Sequence, residues 1–571
     1  MTTPSPNTDS IKTIMELIDK GKWVIPNFQR DFTWTAKQVK ELTESVLESY
    51  YIGAILVWKC RGKKDAKLAI EPVYGSKIRK EDLDPQAIIL DGQQRLTSLY
   101  YAMYSPDKKL KWTKHPYFFW INIKKILDND YEDCVNYYNK NRGRSKKILE
   151  NQKKQFKEGI FPIQELKNLH RWLDDYSEYL EDEEGLSREK SRNIKEKVRD
   201  NLEILEKDYK IVFIELPENM KLDHVCEIFE RINSTGTTLT VFDLLNARLL
   251  KDGIELRKKL WEAVVNDEND SINSFSEDSP KFPVLLLQAI SLIRNSYCNK
   301  KYLIELKSNN FIKDWETSVD FINKSLKVIT NYRDKDSLSF GVINKNYLPY
   351  QTVIPILAVL LKELQSKRDI PSCSSKIAKW YWSSIFKETY SGSTDSQIAK
   401  DLRQMREWFE DDSQIPEVIV EARKLSNLDL KGEARTTSAI YRGILSLITL
   451  QGAKDFITSQ PPEYHTLNDH HIFPKNQIKN IELDKKNDIN SILNRTLISE
   501  SSNLKGYLKK LPKEYLKKIE KDIGKDQLLK NLETHFMNEE CYNCMLNNDF
   551  KGFIKERAKL IEEKIKEKIK E

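Results

Sequence analysis

Seven histidines occur in this chain of 571 residues, and two of them stand side by side in 468–480, NDHHIFPKNQIKN. Asp469, His470 and His471 precede an apolar-proline step, Ile472-Phe473-Pro474. Hydrolysis of a phosphodiester needs a base to deprotonate water and a cation to stabilise the phosphorane and the departing oxygen. Histidine suits the first task, since its ordinary pKa of about 6.5 lies near working pH. Adjacent residues of a strand point to opposite faces, so His470 and His471 do not share one role in simple extended geometry. A strand end kinked by Pro474 would bring both close to one phosphate. A lone loop histidine is usually structural or merely exposed. What changes the reading is the company downstream, ILNRTLISESSNLKGYLKK at 492–510. There a short strand, Arg495 to Ile498, lies between Asn494 and Asn503, and a helix is expected from Leu504. Histidine on a first strand and Asn at a helix start make strand–loop–strand–helix, the ββα-metal plan.

A second cluster lies near the N-terminus. In ILDGQQRLTSL, 89–99, a buried strand runs through Asp91-Gly92 into a helix. The unbonded N–H groups of a helix N-terminus favour an anion, typically a phosphate. Gln93, Gln94 and Arg95 add side-chain donors, and Asp91 is placed to hold a metal or orient a water. Upstream, Asn27-Phe28-Gln29-Arg30 offers a second Arg with an amide. Downstream, Arg231 and Asn233 precede the turn Ser234-Thr235-Gly236. Singly, these clusters read as a tight turn and arginines paired with carboxylates; together they read as walls of one pocket. No Gly-x4-Gly-Lys-Ser/Thr run is present, so a nucleotide site here is not a Walker P-loop.

Three segments, IPNFQRDFTW, ILDGQQRLTSL and IFERINSTGTTLTVFDLLNARLL, occur in that order and together resemble the N-terminal domain of GmrSD-type modification-dependent (type IV) restriction enzymes, over about 11–250. That domain is similar to the ParB and sulfiredoxin nucleotide-binding fold. The resemblance implies an NTPase whose nucleotide contacts fall on Gln29, Arg30, Asp91, Gly92, Gln93, Gln94, Arg95, Arg231 and Asn233, with Asp91, Gln94 and Arg95 nearest the chemistry. Whether the nucleotide is GTP, ATP or CTP stays open. The C-terminal motif is similar to the HNH nuclease superfamily, and to the nuclease domain of GmrSD-type enzymes. That resemblance makes His471 the general base and has Asn494 brace the loop carrying it. It puts Asn503 on Mg²⁺ or Mn²⁺, with His470 where many HNH enzymes place a metal-binding Asp and Asp469 one residue early. Arg495 and Lys505 are candidates to grip the scissile phosphate. The implied partner is double-stranded DNA with a base or backbone modification, cut as anti-phage defence; two copies of the chain would cut both strands. Two alternatives remain: a nucleotide-switched DNA-binding clamp without nuclease activity, and an RNA-cleaving toxin.

The elements that must position these residues follow from local pattern. Trp23 to Pro26 reads as a strand after a disordered start. Thr35 to Gln38 is a capping box opening a helix with Val39, Leu42 and Val46 on one face. Gly53 ends that helix, and Ala54 to Trp58 and Ala87 to Leu90 read as buried strands. The stretch 122–208 is charge-rich and mostly helical, Ile211 to Ile214 is a strand, and Thr240 caps a helix. From 255 to 410 the pattern is helical with loops at 272–280 and 391–396, and the chain ends in a Lys/Glu-rich amphipathic helix. The expectation is a predominantly helical α+β protein: an α/β domain at 1–250, a helical connecting domain at 251–410 and the HNH-like domain at 411–571. Net charge of +7 is compatible with nucleic acid without identifying it. Seven scattered Cys suit a reducing cytosol rather than a disulfide framework. Cys541-Tyr542-Asn543-Cys544 lacks the second pair that a structural zinc needs. Neither a signal sequence nor an apolar run of about 18 residues is present, so the expectation is a cytoplasmic protein that does not span a membrane.

Overall fold

A computed structural model describes every residue except 1–2, 30–31, 112, 142, 233–239, 268–270, 277–278, 280–281, 333–337, 393–394, 426–427, 456–458, 460–466, 481, 484–487, 500–508 and 571. The chain is a mixed α/β protein, predominantly helical. It divides into two compact units, Met1–Glu255 and Leu256–Glu571. Among the described residues no helix is long and apolar enough to cross a membrane.

The first unit is built on a six-stranded mixed sheet. Its strands are β1 (Ser5–Ser10), β2 (Trp23–Pro26), β3 (Ile55–Lys59), β4 (Ile70–Glu71), β5 (Ala87–Asp91) and β9 (Lys210–Leu216), in the order β1-β9-β3-β5-β2-β4. Val57 and Ile89 are completely buried, as the apolar runs require. Thr35 accepts from Gln38 N–H and Gln38 answers at the Thr35 N–H, so helix α1 (Ala36–Leu47) begins at a capping box and buries Val39, Leu42 and Val46. Helix α2 (Gln93–Tyr104) starts directly beyond β5, with Gly92 at its cap.

Two elements differ from expectation. Residues 5–10, read as disordered, pair antiparallel with β9 from Ser5↔Glu215 to Ser10↔Lys210. SPNTDS has no apolar alternation to betray a strand, because its ladder bonds are backbone bonds and its polar side chains suit a sheet edge. The charge-rich stretch also contains most of a three-stranded antiparallel sheet, β6 (Tyr117–Asn122) between β7 (Val135–Asn139) and β8 (Ile160–Pro162). Those strands are short, and the charged helices around them dominate the composition.

Helix α1 stops at Leu47 rather than at Gly53, and Ser49 already has φ +60°. Gly53 serves another contact. Its φ is +88°, and a Cβ there would lie 2.3 Å from Arg95 Nη1.

In the second unit, helices Phe282–Asn295, Phe311–Thr330 and Val353–Leu364 pack on one another, and Ile370–Phe386 packs on α3 (Ala439–Leu450) and the long α5 (Phe550–Lys570). The expected loop at 272–280 contains a short helix, Ser271–Ser276. A two-stranded ribbon, β10 (Leu467–His471) against β11 (Arg495–Ser499), is followed by α4 (Pro512–Ile523). Cys541 and Cys544 are buried in the helix Glu539–Leu546.

The Gly53 geometry generates a test. Gly53→Ala forces an L-residue into a left-handed backbone and a steric overlap with Arg95, an expected cost of about 1–3 kcal/mol. Denaturant unfolding of the variant checks it, and an unchanged midpoint would refute the steric role of Gly53 against Arg95.

Candidate functional site

The antiparallel register of β10 and β11 sets His471 opposite Arg495, His470 opposite Thr496 and Asp469 opposite Leu497. The two-residue period then puts Asp469, His471 and Arg495 on one face of the ribbon and His470 on the other. Arg495 Nη1 lies 2.6 Å from His471 Nδ1, and Arg495 Nη2 donates to Asp469 Oδ2 at 3.0 Å. Arg495 Nε donates to the Tyr441 hydroxyl at 2.9 Å, and that hydroxyl donates in turn to Asp469 Oδ2. Tyr441 comes from α3. A buried carboxylate, a guanidinium, a phenol and an imidazole thus form one connected group.

Burial pushes the His471 imidazole down to about 4, with Arg495 adding to the effect and the Asn490 hydrogen bond opposing it. His471 is therefore neutral at pH 7, as a base must be. Burial pushes the Asp469 carboxyl up from its ordinary value, against the pull of Arg495. On the opposite face, His470 Nδ1 donates to the carbonyl of His471 at 2.8 Å. The two histidines thus have separate surroundings.

Asn494 is completely buried, and all of its side chain is engaged. Its Oδ1 accepts from Phe473 N–H at 2.8 Å, while Nδ2 donates to Phe473 C=O at 3.0 Å and to Ile489 C=O at 2.8 Å. The Asn494 carbonyl also accepts from Ile472 N–H at 2.9 Å. The amide therefore continues the β10–β11 ladder past His471 and fixes the Phe473-Pro474 exit. Phe473 is held by ring contacts with Phe550 and Phe553, and Tyr515 donates to Ile472 C=O. Beneath the ribbon, buried Arg557 of α5 donates to the carbonyls of Leu493, Arg495 and His535.

For a divalent cation, Asp469 supplies a fitting atom. Its Oδ1 is buried and takes no hydrogen bond, although Arg495 Nε is 3.0 Å away, because that N–H is directed to Tyr441. A carboxylate oxygen suits Mg²⁺ or Mn²⁺, whereas a histidine nitrogen suits softer ions better. Among the described residues no three His, Cys, Asp or Glu side chains are grouped to hold an ion. Asn503 and Lys505 lie outside the described residues.

In the first unit, Gln29 Nε2 donates to the carbonyls of Ile89 and Leu90, both at 2.8 Å, and Gln94 Oε1 accepts from Thr33 N–H at 3.0 Å. Gln29, Asp91, Gly92, Gln93, Gln94 and Arg95 are thereby gathered at the end of β5. Arg95 faces protein: Nη1 donates to Ile52 C=O at 2.7 Å, and Nη2 to Ala54 C=O and Asp91 Oδ2, each at 3.1 Å. Gly92, at φ +86°, leaves no room for a Cβ, which would meet Ile55 Cδ1 at 2.2 Å. A phosphate fits the start of α2, which carries no side-chain cap, whereas Asn27 Oδ1 and Gln29 Oε1 are buried acceptors that suit a donor group and not a phosphate. Arg30 and Asn233 lie outside the described residues, as does the side chain of Arg231.

The sequence reading missed Asn490, whose Oδ1 is 3.2 Å from His471 Nε2, and Tyr441. Asn490 is one Asn among several in its stretch, and Tyr441 lies in an ordinary apolar helix; neither carries a local signal.

Residues 11–250 match the family described as GmrSD restriction endonuclease, N-terminal domain. The chain is also 33% identical to the uncharacterised protein MJ0686 of Methanocaldococcus jannaschii, an alignment covering 98% of this chain and 99% of that one. The chain therefore belongs to one family with that archaeal protein, and its residues 11–250 are similar to the GmrSD restriction endonuclease N-terminal domain.

A pH effect follows from His535, fully buried behind the ribbon. Its Nε2–H donates to Lys454 C=O and its Nδ1 accepts from the Thr496 hydroxyl. Burial pushes this imidazole down to about 4. The unfolded chain binds the proton near the ordinary value and the folded chain does not, so stability is fully present above about 6.5 and falls as pH drops toward 4. The stability gap between wild type and His535→Gln should shrink by about 1–2 kcal/mol between pH 7 and pH 5. Urea unfolding at both values measures it, and a constant gap would contradict a neutral His535.

Proposed function

We propose that this protein is a modification-dependent DNA endonuclease in which nucleoside triphosphate binding by the first unit regulates phosphodiester cleavage at the β10–β11 ribbon. The observation that carries this reading is the His471–Arg495 cross-strand pair, with Asn494 fixing the chain beyond it. In the reading, 1–250 is a ParB/sulfiredoxin-like domain and the ribbon with the helix after it is an HNH (ββα-metal) centre. The family match of 11–250 supports the class.

The mechanism starts from a neutral His471 whose Nδ1 faces Arg495. An incoming phosphate competes for the guanidinium, and Arg495 turns from the imidazole toward a phosphate oxygen, a stronger charge-assisted partner. His471 Nδ1 then takes a proton from water, the water oxygen bonds to phosphorus, and the bond from phosphorus to the departing ester oxygen breaks. Lys505 is a second phosphate contact. Of the three expected ligands, Asp469 with Asn503 would hold Mg²⁺ or Mn²⁺, which when bound supplies positive charge to the phosphorane and the leaving oxygen, while His470 lies on the opposite face of the ribbon from Asp469. In the first unit, the start of α2 and the amides of Gln93 and Gln94 would hold the triphosphate, joined by Arg30, Arg231 and Asn233, while Gln29, whose N–H groups bind Ile89 and Leu90, would brace the strand end beside it. Asp91 and Arg95, which bind each other, would shape the loop beside it. A nuclease that shares a cell with its host's DNA needs such restraint.

Plasmid cleavage tests the reading, comparing wild type with His471→Ala on unmodified, glucosylated and phosphorothioated DNA. Each is run with Mg²⁺ or Mn²⁺, with and without GTP, ATP or CTP. Cleavage of one modified substrate, reduced about 10²–10⁴-fold in His471→Ala, is expected. Equal cutting by the variant would remove His471 as the base. Spared DNA with triphosphate-dependent DNA binding would favour the clamp, and cut RNA the toxin.

A further inference from the structure

Arg495 meets three partners with one planar group. Its Nη2 donates to Asp469 Oδ2 at 3.0 Å and its Nε to the Tyr441 hydroxyl at 2.9 Å. Its Nη1 lies 2.6 Å from His471 Nδ1 and 3.0 Å from His471 Nε2. Nε is also 3.0 Å from Asp469 Oδ1, so the guanidinium lies against both oxygens of the carboxylate. The Arg495 and Asp469 side chains are only 16% and 11% exposed. A carboxylate so far out of water needs a positive partner, and Arg495 is that partner. The Arg495 carbonyl is held by Arg557, which leaves the side chain as the movable part.

A divalent ion held by Asp469 would share this carboxylate with the guanidinium. Two cations on one carboxylate repel each other strongly where water is scarce, because the effective dielectric constant there is far below that of water. Arginine cannot relieve the repulsion by giving up its proton. It can only turn away, and because the group is planar its contacts with Asp469, Tyr441 and His471 go together. A phosphate offers the guanidinium charge and paired oxygens in exchange. Linkage then requires that whatever draws Arg495 off Asp469 also strengthens the hold on the ion, and the reverse.

We propose that Arg495 is the resident cation of Asp469 and antagonises a divalent ion there, so that the ion binds weakly until a phosphodiester draws the guanidinium away. The proposal rests on Asp469 being a metal-holding carboxylate, and adds that metal and DNA load the centre together. Without DNA the chain supplies its own counterion to Asp469 and so opposes metal loading.

The test titrates the full chain with Mn²⁺ alone, read by the electron paramagnetic resonance of the unbound ion, so no turnover is needed. Arg495→Gln removes the charge and should bind Mn²⁺ about 5–150-fold more tightly than wild type. Arg495→Lys, which keeps a charge without the planar fork, should fall between the two and carries the test if Arg495→Gln fails to fold. Adding Asp469→Asn to Arg495→Gln should abolish the gain, which locates the ion. In a His471→Ala background, short glucosylated or phosphorothioated duplexes should tighten Mn²⁺ binding, and the tightening should shrink once Arg495→Gln is added. Mn²⁺ binding that is unchanged or weaker in the folded Arg495 variants overturns the proposal. A gain that survives Asp469→Asn overturns the metal assignment of Asp469, and the proposal with it. Plasmid cleavage that ignores His471→Ala would remove the base assignment alone and leave these binding results standing.

Discussion

One buried side-chain amide carries the geometry of the second unit's site. Asn494 has no exposure, and its three hydrogen bonds go to backbone groups of two other segments. A buried amide left unpaired costs about 1–3 kcal/mol, so those segments come to it or the fold loses that energy. The result is a strand end, a helical turn and a second strand locked in one relation, with His471, Asn490 and Arg495 on the three locked pieces. Catalytic groups need placement within about half an ångström, and backbone held from one point on both sides supplies it.

Arg557 extends the same logic. Its buried guanidinium donates to the carbonyls of Leu493 and Arg495, on either side of Asn494, and to that of His535. Burial lowers its pKa to about 10, which still leaves it charged at pH 7. Hydrogen bonds from a charged donor are worth about 1.5–3 kcal/mol each, and several of them offset the cost of taking the ion out of water. The first unit contains a counterpart in Arg95, which holds the carbonyls of Ile52 and Ala54 and leaves only glycine tolerable at position 53. In the first unit an arginine that looks, in sequence, like a ligand for phosphate is first a fastener of backbone, as Arg557 is in the second.

That double role explains what was legible in the sequence. The capping box at Thr35 and the turn at Asp91-Gly92 depend on neighbours within a few residues, and a local pattern declares them. The strand at Ser5–Ser10 depends on a partner some two hundred positions later and declares nothing. His471, Asn494 and Arg495 could be picked out by type and order. Their company could not: Asn490 matters only because Asn494 holds its turn, and Tyr441 only because its helix brings a hydroxyl to Asp469 and Arg495.

In the proposed reading, the cross-strand register lets one residue serve both restraint and recognition. Opposite partners in an antiparallel ribbon have Cβ atoms about 5 Å apart, close enough for Arg495 to reach His471 without any tertiary element moving. In this arrangement the guanidinium rests on the nitrogen that a water would need. A phosphate is the ligand best able to draw it off, since it offers charge and paired oxygens where imidazole offers one neutral lone pair. Because the guanidinium is planar, turning it off His471 also breaks its bonds to Asp469 and Tyr441, and the motion required is a rotation of one side chain. Substrate binding and exposure of the base then become a single event, which is the behaviour a nuclease needs if it is to stay silent until a phosphodiester lies in its site.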